Sequence, residues 1–263
     1  MTDNKGILVY AQITRNNEVL EVVNELCSEA QKLSAKLNGE KLEAVLLTNG
    51  QNLDNIKNSL EAFDKVYILK NEKFSKYSTD IYSKAVVDLI KEIKPSIFLI
   101  GATTQGRDLA PRIASELNTG LTADCTKLDI NDKLQLAATR PTFGGKLMAT
   151  ILSKNYPQMA TVRPNVLKIS ENIEVRNTEF IEVYPNLENI QSRVKLLEFI
   201  KSNSDNSNDI EKSDILVAGG KGVKDFSMLE ELAKLLGAKV AATRGAVDLG
   251  LANSSIQVGQ TGK

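Results

Sequence analysis

Residues 6–48 read GILVYAQITRNNEVLEVVNELCSEAQKLSAKLNGEKLEAVLLT, and this stretch decides the fold. Gly6–Gln12 is a short apolar run without alternation, the pattern of a strand buried on both faces. From Glu18 to Leu37 the period changes. Val19, Val23, Leu26, Ala30, Leu33 and Leu37 recur at spacings of four and three, which places them on one face of a helix. Asn38-Gly39 stops that helix. Leu42–Thr48 is a second apolar run. A strand, an amphipathic helix and a strand in this order predict a parallel β-α-β unit.

The same rhythm continues outward. Lys65–Leu69 reads as a strand and Ser78–Ile93 as a helix, with Ile81, Ala85, Leu89 and Ile93 on one side. Lys94-Pro95 ends it, because a residue before proline is pushed out of the helical region. Ser96–Gly101 (SIFLIG) is another strand. A parallel sheet with helices on both faces follows.

From Leu121 to Arg163 strand-like runs succeed one another without helices: Cys125–Ile130, Leu134–Thr139, Leu147–Leu152 and Gln158–Val162. Asn131-Asp132 reads as a turn. These runs are expected to be antiparallel additions. Thr178–Val183 and Arg193–Ile200 are two further strand candidates. Lys201–Asp209 (KSNSDNSND) has no apolar residue to bury and reads as a linker. Beyond it, Asp214–Ala218 is a strand, Lys224–Leu236 a helix stopped by Gly237, and Lys239–Thr243 a strand, followed by a loop. The expected division is an N-terminal α/β domain over 1–202, a linker over 203–212 and a small Rossmann-like unit over 213–263. A unit of about 50 residues is small for an independent core, which predicts a polypeptide that continues beyond Lys263.

Composition narrows the chemistry. The chain has 263 residues, no histidine, two cysteines, and 33 basic against 33 acidic residues. Without histidine there is no Ser-His-Asp or Cys-His nucleophile and no His-ligated metal. Cys27 and Cys125 form no CxxC pair and read as small buried hydrophobes. Zero net charge argues against a general nucleic-acid binder. No run of 18 uncharged apolar residues spans a membrane, and the N-terminus has no signal-peptide layout. Sparse cysteine fits a cytoplasmic protein. Chemistry in such a chain belongs to a bound cofactor.

Glycine-rich turns are where a cofactor's phosphates could approach. None is a P-loop. The glycine required five residues ahead of Gly-Lys is replaced by Arg140, Ile215 and Gln257 in the three cases, and Asp225 breaks a G-x-G-x-x-G. The physical logic still holds at Gly219-Gly-Lys-Gly222, which joins a strand to a helix. Arg244 sits just past the next strand, at the carboxyl end where open α/β sheets bind ligands. Gln257-Val-Gly-Gln-Thr-Gly262 packs glycines among hydrogen-bonding groups. In the first unit, Thr103 or Thr104 caps a helix. Arg107 and Arg112 could meet an anion; the alternative is that Arg107 and Asp108 simply hold the turn. Arg140–Lys146 reads as a hairpin.

These motifs, with Gly101-Ala-Thr, Gly106-Arg-Asp-Leu-Ala-Pro111, Arg140-Pro-Thr-Phe-Gly-Gly145 and Thr161-Val-Arg-Pro164, resemble the alpha subunit of electron transfer flavoprotein along the whole chain. The resemblance implies a beta-subunit partner and an FAD-binding C-terminal domain. It implies FAD contacts at Lys221, Thr243, Arg244, Val258, Gly259, Gln260 and Thr261. Lys221 stands where the family has arginine, which keeps charge and loses the bidentate fork. Thr243 stands for serine. The family's next cofactor loop, Ser-Gly-Ala-Ile-Gln-His, is not in this sequence. The implied role is an electron carrier, not an enzyme by itself, passing electrons between an acyl-CoA dehydrogenase-type or NADH-linked partner and an acceptor. Thr119–Thr126 and Arg140–Gly145 resemble the anaerobic, bifurcating branch. The alternative is a nucleotide-dependent oxidoreductase or a nucleotide-binding module of related fold.

Overall fold

The computed structural model describes residues 3–170, 174–198, 210, 213–223 and 225–259. The chain forms two compact units, Met1–Lys195 and Leu196–Lys263. The linker expected over 203–212 lies outside the described residues apart from Ile210.

The first unit is built on a seven-stranded, wholly parallel sheet. Its strands are β1 (Ile7–Tyr10), β2 (Leu42–Thr48), β3 (Lys65–Lys70), β4 (Ile97–Gly101), β5 (Leu121–Cys125), β9 (Gln158–Val162) and β10 (Glu179–Val183). Their order is β10-β3-β2-β1-β4-β9-β5. Helix α1 (Glu21–Lys36) covers one face. Helices α3 (Thr79–Ile93) and α4 (Thr104–Glu116) cover the other. Alternate residues of β1 feed the two cores. Ile7 and Val9 pack with Val23, Leu26 and Leu33; Leu8 and Tyr10 pack with Val86, Leu89, Leu109 and Ile113. Each such side chain contributes roughly 1.5–3 kcal/mol on burial, offset by the entropy of ordering the chain.

The helix stops follow the sequence signals. Asn38 and Gly39 both take positive φ after α1, and the Gly39 N–H returns to the Ser34 carbonyl at 2.9 Å. Lys94 turns left-handed before Pro95. A short helix not foreseen, α2 (Leu53–Asn58), leads into β3.

Three expectations are corrected. First, Gln158–Val162 is no antiparallel addition: β9 lies between β4 and β5 and runs parallel to both. All five of its residues are buried, as a central parallel strand requires. Second, the run Cys125–Ile130 is two elements. Asp124 takes a positive φ at an irregularity in β5, the chain turns at Thr126, and β6 (Lys127–Ile130) leaves the main sheet. Only β6, β7 (Leu136–Thr142) and β8 (Leu147–Leu152) are antiparallel, as a separate sheet in the order β6-β7-β8. Third, residues 193–198 of the candidate strand Arg193–Ile200 form none. The Arg193 guanidinium instead clamps Asp80, at 2.7 Å, and holds that carboxyl below its usual range.

The second unit is a three-stranded parallel sheet, β11 (Leu216–Gly219), β12 (Lys239–Thr243) and β13 (Gln257–Val258), in that order. Helix α5 (Ser227–Leu236) links the first two strands and starts three residues later than expected. There the Asp225 carboxylate accepts from the Ser227 N–H at 2.9 Å. Gly237 ends α5 in the left-handed conformation. The segment after Thr243 is not plain loop: it holds α6 (Arg244–Asp248) and β13.

Candidate functional site

The register of the small sheet brings the candidate residues to one edge. Gly219 lies opposite Ala242, Ala242 opposite Gln257, and Thr243 opposite Val258. The carboxyl ends of three parallel strands are therefore level. Lys221 follows β11, Arg244 follows β12 and Gly259 follows β13, so each strand delivers its candidate to the same side. In open α/β sheets the carboxyl edge is where ligands generally bind.

The turn after β11 is shaped by packing. A side chain at Gly219 would place its Cβ 2.4 Å from Leu229 Cδ1 and 2.9 Å from Phe226 Cζ, so those side chains would have to shift. The Lys221 stem runs past Gly245, whose Cβ position is 3.7 Å from Lys221 Cβ. Lys221 and the Thr243-Arg244-Gly245 turn are thus neighbours. The Lys221 ammonium has no ion-pair partner among the described residues, and the Thr243 hydroxyl makes no hydrogen bond there. Arg244 Nε lies 3.4 Å from Asp248 Oδ2, with the two side chains 66% and 63% exposed. Gly259 takes φ 105°, open to glycine and strained for other residues. Gln260 and Thr261 lie outside the described residues.

Sequence reasoning assigned no role to Gly245 or Asp248. Asp248 is four residues after Arg244, a spacing that signals a pair only once 244–248 is recognised as helical.

Of the first unit's candidates, Arg107, Asp108 and Arg112 find partners within the protein. The Thr103 hydroxyl accepts from the Gly106 N–H at 3.0 Å and caps α4. Arg107 donates to Asp124 at 3.0 and 3.2 Å, and Arg163 reaches the same carboxylate at 3.8 Å. Arg112 pairs with Glu116 at 2.7 Å. Asp108 accepts from Tyr77 and Thr79. So Arg107 and Asp108 hold the turn through other residues, not through each other. Arg140–Lys146 does form a hairpin, with Phe143 79% exposed at its tip.

Burial pushes both thiols up to about 12, so Cys27 and Cys125 stay protonated. Burial also raises Glu43, which takes a 3.4 Å hydrogen bond from Tyr67. Glu43 lies near the amino end of β2 in the first unit. No cluster of three His, Cys, Asp or Glu suited to a metal occurs among the described residues.

A parallel β-α-β-α-β unit with an unpaired ammonium, a guanidinium and a free hydroxyl at its strand ends, beside glycine turns, defines a nucleotide-binding module. This donor set fits a dinucleotide: cations for phosphate, a hydroxyl for polar ring or ribose atoms, and open backbone for close approach. Residues 7–186 match the electron transfer flavoprotein domain, and residues 209–263 match the electron transfer flavoprotein FAD-binding domain. Protein FixB of Clostridium saccharobutylicum is 46% identical, over 100% of this chain and 79% of that protein. The electron transfer flavoprotein subunit alpha of Thermoanaerobacterium thermosaccharolyticum is 44% identical, over 100% of this chain and 80% of its own. Protein FixB of Bradyrhizobium diazoefficiens is 40% identical, over 98% and 72%. The chain belongs to the alpha-subunit family of electron transfer flavoproteins. Its cofactor is FAD, it is an electron carrier subunit and not a catalyst on its own, and an alpha subunit implies a beta-subunit partner. Among the described residues no helix is long and apolar enough to cross a membrane.

Proposed function

We propose that FAD is held by Lys221, Thr243, Arg244, Val258, Gly259, Gln260 and Thr261. The observation that carries this reading is the level register of β11, β12 and β13, which sets Lys221, Arg244 and Gly259 on one edge. Bound flavin supplies two-electron uptake with one-electron release. The chain's residues supply position and charge. Lys221 and Arg244 favour the more negative, reduced cofactor. Asp248, 3.4 Å from Arg244, offsets part of that charge.

Arg244→Ala is therefore expected to lower the first reduction potential. A cation in contact at about 4 Å contributes roughly 1 kcal/mol in water and about 4 at an effective dielectric of 20. For a side chain this exposed, about 1–3 kcal/mol is the working range, or about 40–130 mV for a one-electron couple. Arg244→Lys should restore part of the loss. A spectroelectrochemical titration of the alpha–beta complex reads this directly. An unchanged potential with FAD still bound removes Arg244 from the site.

We further propose that residues 1–202 pack on the beta subunit, that 203–212 form a linker and that 213–263 form the FAD unit. The family domains, at 7–186 and 209–263, support this division. The docking face is the β7–β8 hairpin. Phe143 at the hairpin tip, with Leu147 (59% exposed), Met148 (58% exposed), Ile151 and Leu152 on the edge strand β8, presents apolar surface. Such surface marks a protein interface. The double variant Leu147→Lys, Ile151→Lys is expected to weaken the complex at least about 30-fold, the loss typical of central interface residues. Titration calorimetry with the beta subunit checks this, and unchanged affinity places the interface elsewhere.

In this reading the protein carries electrons in the cytoplasm between a dehydrogenase of the acyl-CoA type, or an NADH-linked partner, and an acceptor. The Thr119–Thr126 and Arg140–Gly145 motifs favour flavin-based bifurcation.

A further inference from the structure

Arg140, on β7, is a half-buried cation that the fold leaves unmet. Its Nε is buried without a hydrogen-bond partner, and among the described residues its guanidinium makes no ion pair and no hydrogen bond. The two terminal nitrogens, equally without partners, are not enclosed and stay open to approach. The carboxylate on the adjacent β5, Asp124, is already held by Arg107 and Arg163. Burial raises the Cys125 thiol and the Arg140 charge draws it partly back, so the cation stands close to the core. The register of the hairpin frames it. Arg140 lies opposite Ala149 on β8, and residues directly opposite share a face with their neighbours two positions along. Leu147 and Ile151 therefore stand diagonally on either side of Arg140, with only the Ala149 methyl between them. Both are exposed, at 59% and 40%.

A partner that covers Leu147 and Ile151 must also cover Arg140. Taking a charge out of water unpaired is strongly unfavourable, and only a well-placed opposite charge offsets it. We infer that Arg140 receives a carboxylate of the beta subunit, which forms a forked ion pair with its two terminal nitrogens inside the docked hairpin face. A planar guanidinium meets a planar carboxylate through two parallel hydrogen bonds, which fixes orientation as well as contact. The inference rests on the docking face proposed above and adds a charged centre to it. The apolar side chains supply area, and the ion pair supplies register.

The test is titration calorimetry with the beta subunit, together with the melting temperature of the chain by itself. Arg140→Met keeps a straight apolar side chain and removes the charge. It is expected to weaken the complex about 30-fold or more, the loss for deleting one member of a buried charged pair. The melting temperature of the chain alone should not fall, because no internal ion pair or hydrogen bond is lost. Arg140→Lys should recover part of the affinity, since charge survives and the fork does not. In the Arg140→Lys complex a zero-length carbodiimide, which joins an amine to a carboxylate, should couple position 140 to an acidic residue of the beta subunit, read by peptide mass spectrometry. Wild-type affinity in Arg140→Met, a lowered melting temperature of that chain alone, or an intact Arg140→Lys complex with no coupling at position 140 overturns the inference. The variant Leu147→Lys, Ile151→Lys separates it from the docking face. If that variant binds as wild type, the face is wrong and the inference falls with it. If it weakens the complex while Arg140→Met does not, only the inference is overturned.

Discussion

Gly106→Ala is expected to unfold the first unit's β4–α4 corner. Gly106 is the third residue of α4, and a Cβ there would sit 1.9 Å from the carbonyl oxygen of Gly101 and 3.1 Å from Ile100 Cγ2. The near obstacle is backbone, so no side chain can rotate away. Helix α4 must retreat from β4 instead. Retreat breaks the Thr103 cap and lifts Leu109, Ala110 and Ile113 from the core. Overpacking with backbone displacement and the loss of buried contacts together put the cost at roughly 4 kcal/mol or more. In a unit of this size that corresponds to a fall of about 8–16 °C in Tm. Circular dichroism melts check it, with Gly222→Ala, which meets no atom within 4 Å, as the neutral comparison. A Gly106→Ala melt coincident with wild type would show that α4 yields without cost.

The second large effect is expected at Glu25. It lies on α1 and is 2% exposed, with its carboxylate turned toward a loop and not toward solvent. Its oxygens accept the N–H groups of Asn165, Val166 and Leu167 at 2.9, 3.3 and 3.1 Å. Ser28, also buried, accepts from Ser170 at 3.1 Å one turn further along. The loop after β9 is thus pinned to α1 through side-chain oxygens. Glu25→Ala strands three backbone donors. The three loop residues are exposed or half-buried, so water recovers part of the roughly 1–3 kcal/mol cost of each unmet donor, and the net loss is roughly 2–3 kcal/mol. Glu25→Gln keeps one carbonyl acceptor and should cost about half as much. Hydrogen exchange localises the effect: amides 165–167 are expected to lose protection before those of the sheet. Retained protection in Glu25→Ala would mean that the loop is held by other contacts.

Glu25 marks where local reading ends. On sequence it falls off the apolar stripe of α1 and looks like a solvated charge. Its burial follows from a segment 140 positions away, which no helical periodicity can report. The strand Gln158–Val162 is a similar case. It follows three strand-like runs with no helix between them, and only the neighbouring β4 and β5 fix its direction as parallel. The Arg193–Asp80 clamp replaced an expected strand for the same reason: extended residues are alike until a partner is present.

The sequence by itself determined the parallel sheet, since apolar runs and helical stripes are local consequences of burial on two faces or one. It determined the helix ends at Asn38-Gly39, Lys94-Pro95 and Gly237, because backbone conformation there is set by the residue itself. It also determined that Lys221 and Arg244 stand just past the ends of strands. Only the tertiary structure decided which strand lies beside which, and so that β9 enters the main sheet while β6, β7 and β8 leave it. Only the register of β11 on β12 decided that Thr243 faces Gly220 and that Lys221 lies along Gly245. Hydrogen bonds between strands join residues far apart in the chain, and their alignment is a collective minimum of packing that no single segment encodes.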